Sequence, residues 1–190
     1  MRKVLTVFSV CMVLCLVGLA NATVVDFDDT GLASSTPLDF SYAGFDWGVV
    51  DIVIEGHLNY YTESATSGDY AAAGWGPDDV IITKSNGGTF DFDGAWFSPA
   101  NGSSPGYVDV AGFLNEVQVG TTITITMTDA TPVFGGDLTG AIDELKFSTA
   151  ATGGHDQYYA FDDFTYVPEP ATICLLGLGG LLLRRRKQHS

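Results

Sequence analysis

From Thr122 to Thr128, threonine alternates with an apolar residue without a break: Thr122-Ile123-Thr124-Ile125-Thr126-Met127-Thr128. Only an extended chain places every second side chain on one face; a helix would spread the same residues around its axis. Thr89-Phe90-Asp91-Phe92-Asp93 repeats the pattern with acidic residues, and Tyr107 to Phe113 follows it more loosely. Each reads as a strand with one buried and one wet face. Further strands are expected at 24–27, 47–54, 80–83, 141–147 and 158–166. Asn86-Gly87-Gly88 predicts a tight hairpin between the strand at 80–83 and the one beginning at Thr89. No stretch of ten residues between 23 and 166 carries a helical apolar stripe. Many strands joined by Gly-, Asp- and Pro-rich turns predict an all-β fold, a jelly-roll β-sandwich.

Parity breaks once. In Tyr159-Ala160-Phe161-Asp162-Asp163-Phe164-Thr165-Tyr166, one aromatic pair sits at odd positions and the other at even positions. Regular alternation cannot bury both. A β-bulge at Asp162-Asp163 would switch the face and re-aim a carboxylate.

Both ends read as address signals. Arg2 and Lys3 precede an apolar stretch from Val4 to Leu19, and Ala20-Asn21-Ala22 forms an A-x-A cleavage site. Residues 1–22 are therefore expected to be a signal peptide. Toward the other end, Val167-Pro168-Glu169-Pro170 leads into thirteen uncharged residues, 171–183, and then into Arg184, Arg185, Arg186 and Lys187. A stable span takes about 20 apolar residues. This run is shorter and is weakened as a helix by Gly177, Gly179 and Gly180. It suits a transient hold in the membrane, with the basic cluster stopping it on the cytoplasmic side. An ordinary single-span anchor is the alternative.

This C-terminal order of motif, apolar run and basic cluster resembles the sorting tail of PEP-CTERM proteins, exported bacterial proteins. The resemblance covers residues 167–190. It implies a short hydrophobic sorting helix, processing by an exosortase-type enzyme near Pro168-Glu169-Pro170, and delivery to the outer envelope or extracellular matrix of a Gram-negative-type bacterium. The chain then divides into a signal peptide (1–22), a β-sandwich (23–166) and a sorting tail (167–190).

The middle of the chain has its own resemblance. Val25-Asp26-Phe27-Asp28-Asp29, Tyr42-Ala43-Gly44-Phe45-Asp46-Trp47, Phe90 to Phe97, Ala141 to Phe147 and Phe161 to Tyr166 follow one another in an order similar to galactose-binding-like, carbohydrate-binding-module-like β-sandwiches. That resemblance implies a jelly roll whose first and last strands are neighbours. Many such modules hold a structural calcium, but a fold does not supply a function.

Charge narrows the partners. Between residues 23 and 170 stand all 23 acidic residues against Lys84 and Lys146, a formal charge of −21. Such a surface repels nucleic acid and anionic lipid, and attracts cations. The domain contains no cysteine, since Cys11 and Cys15 leave with the signal and Cys174 belongs to the tail. An exported domain without disulfides must rely on its core or on a metal.

Two groups are candidate sites. Asp28 and Asp29 near the first strand, with Asp162 and Asp163 in the last, could supply carboxylate oxygens to calcium. Otherwise they are charged edges that block aggregation. Aromatic rings could stack on sugars, with Tyr60, Tyr61, Tyr70 and Trp75 preferred because that stretch reads as loop-like and polar. Trp47 and Trp96 are further candidates, although an aromatic is more often core. Catalysis has little support: there is no Gly-x-Ser-x-Gly elbow, and His57, His155 and Asp156 form no recognisable set. The expected function is a non-enzymatic, exported protein that binds a glycan such as the cell's own exopolysaccharide. A structural matrix protein without a ligand is the alternative, and an unrecognised polysaccharide hydrolase the third reading.

Overall fold

Twelve strands make up the secondary structure of the described residues, and they fold into two antiparallel sheets packed face to face. The computed structural model describes residues 21–34, 36–38, 41–48, 50–54, 65–75, 78–99, 106–127, 131–149 and 158–168. Ala22–Pro168 forms one compact unit. The signal stretch 1–20 and residues 169–190 lie outside the described residues, as do Tyr60 and Tyr61.

In chain order the strands are β1 (Thr23–Val25), β2 (Thr36–Pro37), β3 (Phe45–Asp46), β4 (Asp51–Ile54), β5 (Tyr70–Trp75), β6 (Val80–Lys84), β7 (Phe90–Pro99), β8 (Gly106–Leu114), β9 (Val117–Met127), β10 (Val133–Gly135), β11 (Glu144–Ser148) and β12 (Tyr158–Pro168). Seven form one sheet in the order β10-β7-β12-β5-β4-β2, with β1 also paired to β12. Five form the other, in the order β3-β6-β11-β8-β9. The last strand is the hub of the larger sheet. It holds β7 along one side, and β5 and then β1 along the other. First and last strands are thus neighbours, with Val25 opposite Phe164.

Alternation explains the strands that sequence reading located. In β9, Ile125 and Met127 are buried, while Thr122, Thr124 and Thr126 face water. Phe90, Phe92 and Phe97 of β7 point inward, as do Leu145 and Phe147 of β11. Between the sheets lies an aromatic core. Trp47 is buried, its ring 5.1 Å from Phe27 and 5.0 Å from Phe164. Phe45 packs edge-on against Tyr166 at 4.7 Å. Edge-to-face geometry suits rings with a negative face and a positive rim.

Two expectations need correction. Asn86-Gly87-Gly88 is a turn, with the Gly87 amide donating to the Lys84 carbonyl, but it closes no hairpin. It carries the chain from β6 in one sheet to β7 in the other. The two-residue hairpin is instead Asn115-Glu116, which joins β8 to β9 with both residues at positive φ (51° and 66°). Such a turn favours glycine, so Glu116 hid it. Lastly, Tyr70 to Trp75 is not loop but β5, a central strand whose Ala71, Ala72 and Ala73 are fully buried. Three alanines in a row show no parity and so no strand signal.

Candidate functional site on the outer face of the seven-stranded sheet

The parity conflict in β12 is resolved by the bulge. Pairing with β7 shifts register between Asp162 and Thr165, and Asp163 adopts φ 49°. Tyr159, Phe161, Phe164 and Tyr166 are consequently all buried on the core side. The Asp162 carboxylate is turned to the outer face, where it is fully buried under a second chain segment.

That segment is 66–70, and three of the four singled-out carboxylates converge on it. Asp162 Oδ2 accepts the amides of Thr66 at 2.7 Å and Ser67 at 3.0 Å. Asp162 Oδ1 accepts the Asp163 amide at 2.7 Å. The Ser67 hydroxyl donates to Asp163 Oδ1 at 2.7 Å. From the first strand's side, Asp28 Oδ1 accepts the amides of Asp69 at 2.9 Å and Tyr70 at 3.1 Å. Gly68 sits directly against the Asp28 carboxylate at φ 57°, where any side chain would both clash and be strained. Asp29 goes elsewhere and accepts the Tyr42 hydroxyl. The carboxylates clamp one stretch of backbone from two sides, Asp162 and Asp163 from β12 and Asp28 from the turn after β1. Beneath it, Val53, Ala71, Ala73 and Ala160 form a small separate apolar cluster.

This arrangement does not fit a calcium cage. Calcium takes six to eight oxygens. Both Asp162 oxygens and one of Asp28 are turned to backbone N–H groups, and among the described residues no three His, Cys, Asp or Glu side chains surround a common point. Burial raises the Asp162 pKa to about 7, and the nearby Asp163 charge adds to the rise. The three amide hydrogen bonds oppose it by favouring the ionised form, but burial outweighs them.

The aromatic candidates separate in the same way. Trp47 is core and its Nε1–H donates to the Tyr42 carbonyl at 3.0 Å. Tyr70 is half-buried and packs on the core. Trp75 lies in β5 opposite Tyr158. Trp96 is different. It alternates with the buried Ala95 and Phe97, so it faces outward, and Phe134 of β10 lies directly opposite. The two rings meet edge-to-face at 5.4 Å, with Phe134 47% exposed. Sequence reading missed Phe134 because it sits in a three-residue strand without alternation. Gly94 makes room for it: a Cβ there would lie 2.7 Å from the Phe134 ring.

The comparisons with known proteins agree with this architecture. Residues 167–187 match the PEP-CTERM protein-sorting motif. Among curated proteins, none matches the sequence. Among solved structures, a DUF4465 family protein from Bacteroides caccae is similar over 78% of this chain and 100% of its own, at 14% identity and a TM-score of 0.50. Less similar are TmCBM61 in complex with β-1,4-galactotriose (12% identity, 68% of this chain and 91% of that one, TM-score 0.38) and a family 16 carbohydrate-binding module (15%, 68% and 88%, TM-score 0.34). The fold is a β-sandwich of this general kind, and the chain carries a PEP-CTERM sorting motif whose first two residues, Val167 and Pro168, are the last two of β12.

Proposed function

We propose that this is a non-enzymatic protein, delivered by its PEP-CTERM tail to the outer envelope or extracellular matrix, where its β-sandwich binds a glycan. The sorting motif implies export, membrane anchoring before processing, and an exosortase-type enzyme as partner. The observation that supports a glycan ligand is the edge-to-face Trp96–Phe134 pair on the outer face of the sheet, with Phe134 exposed and Trp96 half-buried. An aromatic face matches the C–H face of a sugar ring. A structural calcium is left out of this proposal because the clamped carboxylates do not fit one.

The delivery half is tested in the native host. Replacing Arg184, Arg185 and Arg186 with neutral residues is expected to let the short apolar run slip through the membrane, since nothing basic then stops it. Glu169→Ala is expected to leave full-length, membrane-held precursor. Normal size and surface amount in both variants, read by fractionation and immunoblot, would remove this half. The binding half is tested by screening the mature protein on a glycan array in high salt, which suppresses nonspecific charge attraction. Binding to no glycan would leave a purely structural matrix role, and turnover of a bound polysaccharide would favour a hydrolase.

A further inference from the structure

The acidic surroundings of the outer-face aromatic pair carry the reading further. We infer that the Trp96–Phe134 shelf takes a glycan bearing free amino groups, a polymer of deacetylated amino sugar, in preference to neutral or anionic glycans; this rests on the glycan-binding reading above.

The shelf lies on the outer face of the sheet at its β10 edge, where Phe134 is exposed. Asp91 and Asp93 lie on β7 with Trp96, and alternation with the buried Phe90 and Phe92 turns them to the same outer face. Asp137 follows Phe134 by three residues and is close enough to Asp93 to act on its charge. Burial first, and then the charges of Asp137 and Asp91, raise the Asp93 pKa above the usual carboxylate value. Crowded carboxylates of this kind favour a cation beside them.

Neither lysine of the domain answers that need. Lys146 pairs with Asp79. Lys84 sits over the rings of Phe45 and Tyr166, 4.6 and 4.5 Å from their centroids. An ammonium group from outside would meet carboxylates on one side and aromatic faces on the other, and each attracts it. Trp96 and Phe134 would also cover the C–H face of the sugar carrying that ammonium. A uronic acid or sulfated sugar would meet like charge, and a neutral sugar would gain only the stacking.

The experiment is calorimetric titration of the mature protein, at mildly acidic pH, with a glucosamine hexamer, its fully N-acetylated counterpart, a neutral galactan oligomer and a lysine hexapeptide of equal charge. The glucosamine hexamer is expected to bind at least about tenfold more tightly than the acetylated hexamer, the loss being that of one ammonium at an aromatic and acidic site. Trp96→Ala and Phe134→Ala are each expected to weaken it about tenfold. Asp93→Asn should weaken the glucosamine hexamer and leave the acetylated one unchanged. Unchanged melting temperatures would show that the variants fold. If the lysine peptide binds as tightly as the glucosamine hexamer, or the ring variants bind normally, the shelf is not the site and bulk charge explains the binding. Tighter binding of a neutral oligomer would overturn the ligand class and leave the glycan reading standing. Binding of no oligosaccharide would overturn both.

Discussion

Trp47→Ala is expected to destabilise the domain by about 3–5 kcal/mol, the range for deleting a large buried aromatic. Trp47 touches the rings of Phe27, Phe45, Phe161 and Phe164, and so joins chain near the first strand to the last. Its removal leaves a cavity that strands on both sides are too stiff to fill. The Tyr42 carbonyl also loses the indole donor. Small domains are stable by only about 5–15 kcal/mol, so much of the margin would go. Urea unfolding of the mature protein followed by tyrosine and tryptophan fluorescence measures it. Trp47→Phe should lose less, because a smaller void remains. A loss under about 1 kcal/mol in Trp47→Ala would mean that the ring lies at the surface.

Asp162 carries the second large effect, and it depends on pH. Its folded pKa is about 7, raised by burial, against about 3.9 for an unfolded aspartate. The folded domain therefore binds this proton more tightly than the unfolded chain does. Its contribution is fully present below about pH 4 and is lost as pH rises through 7. Melting temperature should fall between mildly acidic and mildly alkaline buffer. Asp162→Asn should flatten that slope, since an amide does not titrate but its carbonyl can still accept the Thr66 and Ser67 amides. Asp162→Ala should cost about 1–3 kcal/mol at acidic pH, the penalty for leaving buried donors without an acceptor, and less as pH rises through 7. Equal pH slopes in the parent and in Asp162→Asn would refute the assignment.

The bulge was legible because four aromatics in one strand demanded two parities, and burying them all admits few other answers. The strands β7, β8 and β9 were legible because one of their faces is wet. Strand β5 was not, since both its faces are covered and its alanines carry no polar counterpart. The candidate carboxylates were visible as acidic pairs, but what they hold was not. Asp28 and Asp162 bind backbone amides of residues 66–70, and backbone groups leave no mark on the side-chain pattern. Calcium was the expectation because carboxylates without lysine partners invite a cation. Peptide N–H groups meet part of that demand instead. The aromatic shelf was half legible: Trp96 stood out, and its partner Phe134 did not.

The hub position of β12 also bears on the order of events during export. Strands β1, β5 and β7 each need β12 as a neighbour, and β12 is the last strand of the domain to leave the ribosome and the last to cross the membrane. Until it emerges, the larger sheet has a gap at its centre, and long-range pairing of this kind forms slowly. The chain thus stays threadable through a translocation channel almost to its end. In the sequence only Glu169 and Pro170 separate β12 from the apolar run at 171–183. Closure of the sheet can therefore begin only as the tail itself reaches the membrane, and the sorting motif overlaps the strand on which that sheet closes.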